Sequence, residues 1–314
     1  MAELQVVGLV DIDAARARRL AARFGVPFSG RDYGDLYGRV DGVLVCLPNH
    51  LHAPVSIDFL SRAIPVLVEK PIARTTAEAE AMAAASRASG AALAVGLVFR
   101  HCAGPRLIKQ ALDQGWLGPL ERVTIDWGSM FEWPVASGYA FDPEQAAGGV
   151  LLDAGSHIVD LLRWWFGEVT IVEYGDDWQG GVEADCVLSF QVTDRSRLVP
   201  GVMTLSRLRN LGNIARIVGA EWTLEWDLRS EDRVALRRTA GGGGPADVVL
   251  AGPAFGDQRD ALAGRRAQLR RFAGVVDGAG PAPASPEDAI AGLRLIEECY
   301  RRRVFRPQPW DAVP

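Results

Sequence analysis

The chain has 314 residues, 48% hydrophobic and 23% charged, which is long enough for two domains with sizeable cores. A net charge of −5 gives no basic footprint for nucleic acid, and the four cysteines (Cys46, Cys102, Cys186, Cys299) are too scattered for a metal finger or a disulfide framework. The N-terminus lacks a basic region ahead of an apolar run and no stretch reaches the length of a membrane span, so a soluble, cytoplasmic protein without membrane partners is expected.

Apolar runs at 4–10 (LQVVGLV), 42–47 (GVLVCL), 65–68 (PVLV) and 92–98 (ALAVGLV) alternate with helical patterns at 13–24, 52–62 and 75–89. Strands that are apolar throughout and separated by helices predict a parallel sheet covered on both faces. Thr75 or Thr76 can cap the third helix, with Glu78 and Glu80 near its start. After residue 118 the chain turns β-rich, with LERVTIDWGSM, DCVLSFQVTD, RLVPGVMTLSRLR and EWTLEWDL following one another with few helices. One helix interrupts them near 149–166, and two more close the chain at about 256–276 and 286–303. The glycine-rich 240–257 reads as a loop, and there is no internal repeat. The predicted class is α/β: an incomplete doubly wound, Rossmann-like parallel sheet over residues 1–100, then an α+β domain with a large, mainly antiparallel sheet over 101–314.

Three stretches could carry chemistry. VEKPIA (68–73) closes a parallel strand, where open α/β sheets bind ligands. Lys70 there can donate a hydrogen bond to a substrate hydroxyl or carbonyl, and Glu69 can hold it charged; a surface ion pair before a proline fits the tripeptide alone equally well. CLPNHLH (46–52) closes another strand. In GGVLLDAGSHIVDLLRWWFG (148–167), Asp153, His157 and Asp160 share a helix face. Gly155 inside that helix costs up to roughly 1 kcal/mol against alanine, which makes sense where something approaches the backbone closely. The ordinary pKa of His157 suits it to exchange a proton with a C–OH group, and Asp153 can orient the imidazole or bind a hydroxyl. The plainer alternative is a capping aspartate and a histidine satisfied at a domain interface. The chain has four histidines, and HLH at 50–52 has no convincing further ligand set, so no metal is expected.

Together with LVDIDAARARRLAARFG, VGLVFRH, GWLGPLERV and SPEDAIAGLRLIEECYRR, these motifs resemble the glucose-fructose oxidoreductase, inositol dehydrogenase and MocA (Gfo/Idh/MocA) family of nicotinamide-dependent oxidoreductases, over nearly the whole chain. The resemblance implies hydride transfer between NAD, or NADP, and a CH–OH or C=O group of a carbohydrate-like sugar or cyclitol. It implies Lys70, His157 and Asp153 as catalytic groups, with His157 as the proton shuttle. Asp11, Pro48, Asn49, His52, Glu69 and Lys70 would meet the cofactor; Arg100, Trp133, Tyr139, Asp153 and His157 would meet the substrate. The Asp11 carboxylate would favour NAD by repelling a 2′-phosphate. A homodimer or homotetramer is implied, formed through the sheet face of 183–193, 198–207, 213–219 and 221–228.

One departure stands out: the chain has 34 glycines but no GxGxxG. Asp11 ends the 4–10 run as the ribose-binding acid ends a second strand. A first strand, its glycine loop and a first helix, roughly 25–35 residues by the usual motif-to-acid spacing, are therefore expected to be missing, with NAD binding weakened. An N-terminally truncated enzyme is the favoured reading. The alternatives are a non-catalytic binding or assembly subunit, a strand supplied by another chain, and an NAD-using glycosidase. The runs 4–10 and 42–47 should then flank a gap or pair directly.

Overall fold

Short apolar strands, each followed by a helix or helical turn, build the first part of the molecule. β1 (Gly8–Val10), α1 (Ala14–Phe24) and β2 (Phe28–Gly30) form one unit; β3 (Val43–Val45), α2 (Asn49–Leu60), β4 (Val66–Val68), α3 (Thr76–Ser89) and β5 (Leu93–Val95) form another. The computed structural model describes residues 4–132, 134–135, 137–230, 233–239, 247–249, 262–280, 282, 284–308 and 311. β1 pairs in parallel with β2, and β3, β4 and β5 pair in parallel in that order as a separate sheet. The runs 4–10 and 42–47 thus do not pair directly, and among the described residues the outer edges of β1 and β3 carry no strand. Aromatic contacts hold the smaller unit in place: Tyr33 and Tyr37, after β2, lie with ring centroids 5.6 and 5.4 Å from Phe59 of α2. Asp13 caps α1, and Gly25 ends it in the left-handed conformation at φ 67°. Thr75 caps α3 by accepting the Glu78 N–H.

The second part runs α4 (Ala103–Asp113), β6 (Leu120–Gly128), α5 (Pro143–Ala146), α6 (Val150–Asp153), α7 (Gly155–Phe166), β7 (Val169–Asp176), β8 (Asp185–Asp194), β9 (Arg197–Ser206), β10 (Ile214–Gly219), β11 (Trp222–Asp227), β12 (Val234–Arg238), β13 (Asp247–Val249), α8 (Ala263–Val276), α9 (Pro286–Arg301) and β14 (Val304–Phe305). Its strands form one nine-stranded sheet in the order β13-β12-β11-β10-β6-β9-β8-β7-β14. The β6–β9 and β7–β14 pairs are parallel and the others antiparallel. Alternation along the strands buries Val123, Ile125, Leu188, Phe190, Met203, Leu205 and Ile217 in the core that also holds Leu161, Leu162 and Leu293 of α7 and α9. Val172, Leu198 and Val202 stand 57%, 63% and 40% exposed, so the sheet keeps an apolar stretch facing solvent.

The chain then returns. Phe272 of α8 packs on Leu67 of β4 and Ala94 of β5, covering the second face of the three-stranded sheet. This is why β4 is buried at all three of its residues.

Several expectations change. β2, α4 and β7 lie outside the predicted elements. The single helix of 149–166 is two, broken at Ala154. Within the expected loop 240–257, residues 247–249 are β13, paired with β12, and the rest of that stretch lies outside the described residues.

Candidate active site

The end of β4 places Glu69 and Lys70 at the rim of the parallel sheet. Gly96, just past β5, lets the Glu69 side chain lie close, since a Cβ there would stand 2.8 Å from Glu69 Oε2. Glu69 Oε2 accepts the Lys70 backbone N–H at 3.2 Å. The ammonium of Lys70 pairs with Asp153 instead, which corrects the expectation that Glu69 holds it. His52 is 1% exposed, its Nδ1 2.7 Å from the Pro71 carbonyl and its Nε2 2.8 Å from the Leu47 carbonyl. Both ring nitrogens are thus taken up by protein, and the ring braces the turn of Leu47 and Pro48 against the segment carrying Lys70. Asn49 Nδ2 donates to the Ala146 carbonyl at 2.9 Å, tying α2 to α5.

Asp153 arrives from the other part of the chain. Gly149 N donates to Glu183 Oε2 at 2.8 Å, Val150 N to the Glu183 carbonyl at 2.8 Å, and Leu151 N to Glu183 Oε1 at 3.0 Å. One residue therefore satisfies the opening amides of α6, a four-residue helix that ends in Asp153. At the break the His157 N–H turns to the Ala154 carbonyl, 3.2 Å away. The Asp153 carbonyl, released from the helical ladder, accepts from Lys70 Nζ at 3.0 Å and Ser156 Oγ at 2.9 Å. Gly155 lets the break sit on β9: a Cβ there would lie 2.9 Å from methyls of Leu151 and Leu205.

Both oxygens of Asp153 are gripped by cations, Oδ1 by Lys70 and Oδ2 by Arg207 Nη2 at 2.7 Å. Burial opposes the charge, but these cations outweigh it and hold the carboxyl below the usual carboxylate range. His157 stacks on Phe99 with centroids 4.6 Å apart, and its Nδ1 is sealed without a partner among the described residues. Burial, then the Lys70 charge, push its pKa down to about 3, so the imidazole is neutral at neutral pH. Burial, then the charge of Asp153, raise the Tyr139 phenol. A lysine past the end of β4 and an arginine past the end of β9 thus meet the carboxylate that ends α6, with a neutral imidazole one turn later on α7. The set can polarise an oxygen and accept its proton.

Residues 1–97 match the GFO/IDH/MocA oxidoreductase family, NAD-binding Rossmann fold, and residues 106–225 match the GFO/IDH/MocA C-terminal domain. The chain belongs to the GFO/IDH/MocA family. The rhizopine catabolism protein MocA of Rhizobium meliloti is 27% identical over 302 residues, covering 92% of this chain and 86% of its own. A putative UDP-kanosamine synthase oxidoreductase subunit of Amycolatopsis mediterranei is 31% identical over 172 residues, which is 55% of this chain and 47% of the relative, so this match spans about half of each. A solved levoglucosan dehydrogenase, in complex with NADH and levoglucosan, shares the fold at a TM-score of 0.80 and 20% identity, over 95% of this chain and 88% of that one.

In this GFO/IDH/MocA chain Arg100 is not free to meet a substrate, which corrects that expectation. Its Nε and Nη2 bond the two Asp160 oxygens at 2.9 and 2.6 Å, and its Nη1 bonds Asp288 Oδ2 at 3.0 Å. The residue holds the site indirectly, because Phe99 precedes it and Asp160 lies on the helix of His157. Replacing Arg100 by methionine leaves Asp160 buried without this partner. The expected loss is about 3–5 kcal/mol of stability, read from the urea midpoint; a loss under about 1 kcal/mol, the worth of a surface pair, would contradict the clamp.

Arg207 and Glu183 escaped the sequence reading. Arg207 follows β9 directly, so a cation at the mouth of a strand was the available signal. Glu183 offered none, since its role depends on two glycines 34 and 35 positions earlier. Asp11 lies at the end of β1, Pro48 directly precedes α2, and Trp133 lies outside the described residues.

Proposed function

We propose that the chain is an NAD-linked oxidoreductase that interconverts a secondary alcohol and a ketone on a sugar or cyclitol. The observation that carries this is the convergence of Lys70, Asp153, Arg207 and a neutral His157 at the rim of the parallel sheet. Relatives named 1,5-anhydro-D-fructose reductase and inositol 2-dehydrogenase support the substrate class.

The residues fit the two ends of a nicotinamide dinucleotide unequally. Lys70, Tyr139 and His157 suit the reacting end, and Asp11, at the close of β1, suits a ribose diol. The turn between β1 and α1 does not suit the pyrophosphate: its amides Ala15 N and Arg16 N are already capped by the Asp13 carboxylate, at 3.0 and 3.1 Å. NAD, when bound with its nicotinamide at this end, would supply the hydride acceptor for the substrate carbon. Lys70 donates a hydrogen bond to the substrate oxygen, favouring its alkoxide-like form, and neutral His157 takes the proton; in reduction Lys70 donates to the carbonyl oxygen in the same way and His157 returns the proton. Asp153, held by Lys70 and Arg207, fixes the lysine and can accept from a neighbouring hydroxyl. The solvent-facing stretch at Val172, Leu198 and Val202 is the surface through which we place a homodimer or homotetramer.

Asp11 Oδ2 is held by Arg16 Nη1 at 3.2 Å and Oδ1 by the Asp13 amide at 2.8 Å, so the carboxylate is fixed before any ligand arrives. It favours NAD by accepting ribose hydroxyls and repelling a 2′-phosphate. Asp11→Ala is expected to raise the Kd for NADH roughly ten- to a hundredfold, the worth of a charged hydrogen bond, and to narrow its gap to NADPH. Fluorescence titration checks it, and an unchanged Kd removes Asp11 from the cofactor site. The activity itself is tested by NADH formation at 340 nm across a panel of cyclitols and pyranoses; no response from any would count against the proposal.

A further inference from the structure

We propose that Glu183, held by Tyr300, is a positioning residue for Asp153, and so for the Lys70 ammonium. This rests on the proposed function only in taking Asp153 to lie at the reacting centre. Glu183 is 2% exposed and sits just ahead of β8, while Tyr300 comes from α9. Tyr300 Oη donates to Glu183 Oε1 at 2.8 Å, and Arg303 Nη2 stands 3.8 Å from Oε2. The carboxylate and carbonyl of Glu183 take the N–H groups of Gly149, Val150 and Leu151. Gly149 O accepts Asp153 N at 2.9 Å, so the grip passes through one helical turn to the residue that Lys70 and Arg207 hold.

A helix of four residues cannot hold its direction by itself, because its few internal bonds do not repay nucleation. α6 runs on into α7 through Ala154, whose backbone is helical, and its opening turn is pinned by these three bonds. Gly148 and Gly149 allow the approach: a Cβ on the first would meet Tyr300 Oη at 2.3 Å, and on the second the Glu183 carbonyl oxygen at 1.8 Å. The paired glycine ahead of VLLD is thus explained by contact with Glu183 and Tyr300.

Glu183→Gln keeps the side-chain shape and one acceptor oxygen but sets an NH₂ group against one of the two amides the carboxylate serves. Turnover on a reactive substrate should fall about 10–100-fold, in line with a misplacement near 1 Å, while the NADH Kd stays within twofold. The deciding measurement is a double-mutant cycle with Asp153→Asn. If Glu183 acts through Asp153, the second substitution adds little to the first; if the two losses multiply, the proposal is overturned. Amide hydrogen exchange supplies a readout independent of catalysis. In Glu183→Gln the amides of 149–153 should exchange at least tenfold faster, while those of β8 stay protected; unchanged exchange at 149–153 overturns the proposal. Should Asp153→Asn leave turnover intact, the reading of Asp153 fails, and the exchange data still decide whether Glu183 seats α6. Tyr300→Phe, which removes one bond to Glu183, should show the same pattern at smaller size if Glu183→Gln does not fold.

Discussion

Lys70→Ala and His157→Ala are each expected to lower turnover by about 10²–10⁴-fold, the usual worth of a group acting on the reacting oxygen. The structure explains why these losses should not arise from unfolding. Without Lys70, Asp153 keeps Arg207 at 2.7 Å, so its charge is not stranded. Without His157, no hydrogen bond made by its Nδ1 is lost, since that atom has no partner among the described residues; the main loss is stacking on Phe99. Affinity for NADH should change far less than turnover, because neither side chain is assigned to the ribose or the pyrophosphate. The pH profile adds a sign. An ordinary histidine would gain a proton, and stop acting as a base, as pH falls through about 6.5; burial and Lys70 push His157 down to about 3. Alcohol oxidation, followed as kcat/KM, should therefore show no acid limb from His157 between pH 8 and 5. Full turnover in His157→Ala would hand the proton to Lys70 or water.

The largest effect on folding is expected from Gly149→Ala. The new methyl carbon would stand 1.8 Å from the Glu183 carbonyl oxygen and 2.6 Å from its amide nitrogen, both backbone atoms. Glu183 is buried and its carbonyl holds the Val150 amide, so it has nowhere to withdraw. Either α6 leaves Glu183, taking two backbone donors from a buried carboxylate, or the lead-in to β8 moves. Both are among the mechanisms that destabilise by roughly 4 kcal/mol or more. Gly155→Ala is the control. Its methyl would meet only side-chain ends of Leu151 and Leu205, at 2.9 Å, and these can rotate; about 1–3 kcal/mol is expected. Chemical denaturation of both variants checks the contrast, and equal losses would contradict it.

These cases show which parts of the molecule were open to reading from sequence. VLV at 66–68 is apolar at every position because both faces of that parallel strand are covered, and such a run is visible in one dimension; VLV at 43–45 reads the same, although Leu44 on this edge strand is exposed. Lys70 was legible because it closes a strand, and Asp153 because its spacing to His157 and Asp160 puts polar groups on one face of an apolar helical stretch. β2, with the sequence FSG, has no apolar run to detect. The split at Ala154 goes with Lys70 and Ser156, which take up the Asp153 carbonyl that an unbroken helix would bond within itself. Arg100 shows the other kind of gap. Its position in VGLVFRH pointed to the right neighbourhood, but only the placement of Asp160 and Asp288 decides that its guanidinium is spent on structure. The same holds for Glu69, whose place beside Lys70 in sequence does not make it that lysine's counter-ion.

The most direct test of hydride transfer at this site is to follow deuterium. Myo-inositol and glucose deuterated at every ring carbon, incubated with unlabelled NAD and the protein, should yield NADH one mass unit heavier from whichever compound reacts. The yield should fall by at least 10²-fold in Lys70→Ala at the same protein concentration. Unlabelled NADH, or labelled NADH formed equally well by Lys70→Ala, would contradict hydride transfer from a substrate carbon held at Lys70.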